Sequence, residues 1–126
     1  MLRTIRTESA PAAVGPYSQA IEVNGFVYVS GQLPLDPSTG ELVADFEGAV
    51  KQAIENVISV VTASGSSIEK IVKINAFLTD MSRFGTFNEI YSTFFTDHKP
   101  ARAVVEVRRL PKDAPLEIEA VAVIQD

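Results

Sequence analysis

Two runs near the C-terminus constrain the fold of this chain more than any other feature. Pro100-Ala101-Arg102-Ala103-Val104-Val105-Glu106-Val107 and Leu116-Glu117-Ile118-Glu119 both alternate apolar and polar residues, separated by a Pro-bounded loop. That period of two belongs to a half-buried β-strand. In the first run Ala103, Val105 and Val107 fall on one face, and Arg102, Glu106 and Arg108 on the other. In the second, Leu116, Ile118, Ala120, Ala122 and Ile124 fall opposite Glu117 and Glu119. If both apolar faces meet one core, Arg102 and Glu117 project together from the opposite side of the sheet. This expectation makes them the first candidate site.

The rest of the pattern supplies the partners of those strands. Leu2–Glu8 reads as a short first strand. Pro11 to Pro16 is a loop leading into Gly15-Pro16-Tyr17, where Tyr17 either caps the core edge or lines a site. Asn24-Gly25 joins Ser18–Val23 to Phe26–Ser30 as a hairpin, because both turn positions require a positive φ. Counting outward pairs Val23 with Phe26 and Ile21 with Tyr28. Ser30-Gly31 ends the second strand, and glycine there permits close approach of another group. No order is assigned to Gln32–Gly40.

Asp45 is a fitting N-cap for a helix over 46–63, with Val50, Ala53, Ile54, Val57, Ile58 and Val61 as its apolar stripe. Gly65 suits the C-terminal end. Ile71–Leu78 alternates again, with Val72, Ile74, Ala76 and Leu78 inward and Lys73 and Asn75 outward. A second helix covers roughly 84–95. Core packing explains its aromatic stripe (Phe84, Phe87, Tyr91, Phe94 and Phe95), while Asn88 on or beside that stripe needs a backbone partner or a ligand. The order is β-β-β-α-β-α-β-β: an α+β domain over 1–126, with both helices on one face of a mixed sheet. The other sheet face is expected to carry Arg102, Glu117, Lys73 and Asn75 with Val104, Val121 and Val123. Such a face leaves apolar area in water, and self-association is the economical cover.

Composition narrows the chemistry. The chain has 126 residues, no cysteine and a single histidine, His98. Disulfides, thiolate zinc sites and a Cys nucleophile are excluded, and so is a two-His metal site. The formal charge of −5 and pI of 4.8 argue against a duplex-binding footprint. Without an apolar leader or an 18-residue apolar run, the expected location is the cytoplasm.

Arg102 and Glu117 have a plain reading as solvated strand charges, worth about 0–1 kcal/mol if paired. Three features point beyond it. Small neighbours leave room around the guanidinium, arginine suits bidentate capture of a carboxylate, and Glu117 offers a base without histidine. A simple hairpin would nevertheless hold the two rows roughly 20 Å apart. Either the strands are not neighbours, or the second group comes from another chain.

Gly15-Pro16-Tyr17-Ser18-Gln19, Ser30-Gly31-Gln32, Asn88, Pro100-Ala101-Arg102, Val105-Glu106-Val107, Leu110-Pro111-Lys112 and Ile118-Glu119-Ala120 together resemble the Rid family of enamine/imine deaminases. The resemblance runs across nearly the whole chain. It implies a chorismate-mutase-like (RidA-like) fold and a homotrimer with sites between subunits, using neither cofactor nor metal. It also implies hydrolysis of 2-iminopropanoate and 2-iminobutanoate, released by pyridoxal-phosphate dehydratases, to 2-oxo acids and ammonia. Arg102 would hold the substrate carboxylate and Glu117 would position or activate water. Tyr17, Ser30, Gly31 and Asn88 would line the cleft with the backbone around Ala103 and Val104. Many members have a cysteine where this chain has Val104, so a thiol-dependent step is not expected. The competing readings are a non-catalytic carboxylate-binding regulator or chaperone-like protein, and a ribonuclease. Arg102 favours the enzyme, and the acidic charge disfavours the nuclease.

Overall fold

The computed structural model describes residues 1–124. Six strands form one sheet: β1 (Arg3–Ile5), β2 (Ala20–Val23), β3 (Phe26–Gln32), β4 (Ile71–Leu78), β5 (Ala101–Glu106) and β6 (Leu116–Val123). Their spatial order is β1-β2-β3-β6-β4-β5, with only the β4–β5 pair parallel. Two helices, α1 (Phe46–Ala63) and α2 (Phe84–Phe94), connect the halves.

Local chemistry explains the best-defined elements. Asp45 caps α1, its Oδ2 accepting from Gly48 N at 2.8 Å. Val50, Ala53, Ile54, Val57 and Val61 are buried along the expected stripe. After the Ser64 cap, Gly65 takes φ +97°, which a side chain resists. Asn24 and Gly25 both adopt positive φ, and the hairpin pairs Val23 with Phe26 and Ile21 with Tyr28. The segment 32–40, left without order in the sequence, is tied to α1 by Asn56, whose Nδ2 donates to the carbonyls of Leu33 and Leu35 at 3.0 and 2.9 Å.

The helices and one sheet face enclose the core. Phe87, Ile74, Leu78, Leu116 and Ile118 are among its largest fully buried side chains. The other face is open and largely apolar around β2, β3 and β6, with Phe26 and Tyr28 exposed on it. Among the described residues no helix is long and apolar enough to cross a membrane.

Three expectations are corrected. β1 spans only three residues. At β4 a register irregularity between Ile71 and Lys73 turns Ile71 into the core and leaves Val72 exposed. Most consequentially, β5 is turned over. Arg102 pairs with core-facing Ile74 and Val104 with core-facing Ala76, while Ala103 and Val105 pair with outward Asn75 and Phe77. Arg102 and Val104 therefore face the helices, and Val105 is 45% exposed on the open side. The strand is an edge, apolar on both sides, and α2 supplies partners for a cation on its inner side.

A candidate active site in two halves

The first half lies between β5 and α2. Arg102 Nη1 donates to Asn88 Oδ1 at 2.7 Å. Its guanidinium carbon stands 4.7 Å from the centre of the Tyr91 ring and 5.7 Å from that of Phe84. These residues lie four and seven positions apart on α2, so they share the stripe that faces β5. Aromatic faces attract the cation and limit its motion while leaving its edge uncovered. Among the described residues one of the five guanidinium N–H donors is engaged. Burial pushes the Tyr91 phenol above its usual range, with the Arg102 charge opposing. Its hydroxyl is buried without a hydrogen-bond partner among the described residues.

The second half lies on the open face, where β3 meets β6. Glu117 pairs with Phe77 across the β4 ladder and projects outward. A Cβ added to Gly31 would lie 2.7 Å from the Glu117 carboxyl carbon. Glycine at 31 is therefore a space requirement of the acid. Desolvation, then the neighbouring Glu119 charge, raises the Glu117 pKa above the ordinary carboxylate range. Glu117 makes no hydrogen bond or ion pair among the described residues. Ser30 adjoins Gly31 and donates Oγ to Ser18 O at 2.6 Å, anchoring the loop that presents the half-exposed Tyr17. Gln19 fastens the same loop, its amide bridging Thr7, Ala10 and Pro11.

The expected meeting of Arg102 and Glu117 on one face does not occur within the chain. β4 separates their strands, so the hairpin is ruled out, and the two side chains leave opposite faces. They are roughly 10 Å apart across the sheet and roughly 10 Å along it. Arg102 is joined by Asn88, and Glu117 by Gly31, whose chain neighbour Ser30 is tied to Ser18 instead. Ala103 lies on the open face and Val104 packs on the core. A groove of about 860 Å³ borders Thr4–Thr7 and reaches Tyr17 and Ser18, but neither Arg102 nor Glu117. His98 is occupied structurally, its Nε2 lying 2.6 Å from the Ile71 carbonyl. Among the described residues no group of three His, Cys, Asp or Glu side chains could hold a metal.

Sequence reasoning missed three contributors. Tyr91 and Phe84 read as core alone, although their spacing with Asn88 on one stripe was the available signal. The Asn75 amide donates to Glu119 Oε2 at 3.0 Å beside Glu117, a pairing across 44 positions without a local signature.

The family model described as Endoribonuclease L-PSP matches residues 7–124. The 2-iminobutanoate/2-iminopropanoate deaminase of Salmonella typhimurium is 48% identical over 126 residues, covering 98% of each chain. A RutC family protein of Pyrococcus horikoshii is 46% identical over 123 residues, covering 97% of this chain and 98% of its own. Among solved structures, the YjgF gene product of E. coli superposes with TM-score 0.94 at 46% identity, covering 98% and 99% of the two chains. E. coli TdcF with bound serine gives 0.93 at 45% identity, covering 96% and 98%. The chain belongs to the Endoribonuclease L-PSP family, which is the YjgF/Rid family.

Proposed function

We propose that the protein is an enamine/imine deaminase, hydrolysing 2-iminopropanoate and 2-iminobutanoate to 2-oxo acids and ammonia. The observation that carries this reading is the pair of half-sites on opposite faces, together with full-length identity of nearly half to a deaminase of that name. The bound serine of TdcF is a small amino acid with a carboxylate, the chemistry a free guanidinium edge accepts.

In this account Arg102 grips the substrate carboxylate and thereby fixes the adjoining C2 carbon. The protonated imine is already electrophilic, so orientation and a modest base suffice. Glu117 takes a proton from water as the oxygen bonds to C2, giving a carbinolamine. Returning that proton to nitrogen lets the C–N bond break and ammonia leave, while the hydroxyl gives its own proton to the freed Glu117 carboxylate and the C–O bond becomes the carbonyl of the 2-oxo acid. Tyr17, Ser30, Gly31, Asn88 and the backbone at Ala103 and Val104 line the cleft.

Opposite faces cannot serve one small substrate inside a single chain, so the cleft is assembled between copies. The homotrimer of the resemblance fits this requirement, with the open apolar face covered by neighbours. The arrangement does not favour the ribonuclease reading suggested by the family's description. The net charge is −5 and the one histidine is held on a backbone carbonyl.

The test couples purified protein to a serine or threonine dehydratase and times 2-oxo acid release. Wild type should accelerate release well above the uncatalysed rate. Glu117→Gln should retain binding of a small carboxylate such as pyruvate while losing about 10²–10⁴-fold in rate. Equal loss of binding and turnover would make Glu117 structural. Carboxylate binding with no acceleration by the wild type would favour the regulator reading.

A further inference from the structure

Glu117 shares its face with a second carboxylate. Glu119 lies two residues further along β6, about 6.6 Å away along the strand, and points to the same side. It is not a loose surface acid. Asn75, its partner on β4, donates Nδ2 to Oε2 at 3.0 Å and fixes where that charge sits. Glu117 has no such tether among the described residues. The carboxylate rests against the Gly31 backbone with Phe77 opposite, where little competes to stabilise its charge.

The other groups around this pair are few. β4 contributes Lys73, one row beyond Glu119 and opposite Val121. β3 contributes Tyr28, also opposite Val121, and Gly31 against Glu117. On β5 the residues of the same face, Ala103 and Val105, are apolar. Neither glutamate forms an ion pair among the described residues.

We propose that Glu119, held in place by Asn75, is a positioning residue that sets the basicity of Glu117. A fixed negative charge beside Glu117 disfavours loss of its proton, so its carboxylate becomes a stronger base toward the attacking water. The direction agrees with the two causes acting on Glu117, burial first and Glu119 second. The inference rests on the deaminase reading and adds a residue that does not touch the substrate.

The experiment is the pH profile of kcat/KM in the dehydratase-coupled assay. Glu119→Gln should move the acid limb to lower pH by about 0.5–1 unit and lower the plateau about two- to threefold. Glu119→Asp, which keeps the charge, should restore most of the limb position. Asn75→Ala frees the charge without removing it, and should move the limb the same way by less. Carbon-13 NMR titration of the Glu117 carboxyl should report the same downward movement without reference to turnover. An acid limb that stays in place in Glu119→Gln and Asn75→Ala, with loss only of plateau or thermal stability, would leave Glu119 a structural residue and overturn the inference. Failure of the deaminase reading is separate, since the wild type itself would then give no acceleration and no acid limb to move.

Discussion

The two faces of this sheet treat charge in opposite ways. Under the helices, β4 and β6 present only apolar side chains to the core, yet the edge strand β5 admits Arg102 there. Tyr91, Phe84 and the Asn88 amide take the place of water around it. On the open face Glu117 stands without a partner among the described residues, kept close to the backbone by the missing side chain at Gly31. The difference carries a lesson about function. Arginine and glutamate on one face would form an ion pair and occupy each other. With a sheet between them, each keeps its valence for a ligand. Each half is therefore tuned separately, and each can be damaged separately.

Arg102→Lys attacks the helix-side half most directly. A point charge replaces a planar fork, and the amine no longer stacks on two rings, so kcat/KM should fall about 10²–10³-fold while the melting temperature changes little. A purified variant with wild-type turnover would break the asymmetry between the halves. Gly31→Ala attacks the open-face half. The new methyl displaces the flexible Glu117 carboxylate from its place, so kcat should drop about tenfold or more while stability changes little. Carboxylate binding at Arg102 should be less affected than turnover, and equal losses would mean the halves are not independent. Asn88→Ala should have the smallest effect. Losing one charge-assisted hydrogen bond while both rings remain should raise KM about three- to tenfold, with kcat nearly preserved.

Much of this was legible in the sequence, for reasons that particular residues supply. Asp45 with the Val50–Val61 stripe and Asn24-Gly25 with its counted register are local signals, and α1 and the hairpin form as they dictate. Glu117 and Glu119 alternate against a uniformly apolar partner set, so the phase of β6 was also readable. β5 offers no such phase. Ala103, Val104 and Val105 make both faces apolar, and a period of two cannot tell inside from outside. Its neighbours were hidden as well. The short loop after β5 suggests a hairpin, whereas the parallel β4–α2–β5 crossover brings β4 between β5 and β6. That one tertiary fact moves Arg102 under α2 and puts Asn75 beside Glu119.

The central claim is that a working site takes its arginine from one copy and its glutamate from another. It is tested by mixing two inactive variants, Arg102→Ala and Glu117→Gln, dissociating and reassembling them in equal amounts, and measuring deamination. If every site is shared between neighbouring subunits, about a quarter of sites recover both residues, and about a quarter of wild-type activity should return. If the mixed assembly forms but stays as inactive as either parent, both groups act from the same chain and the account is wrong.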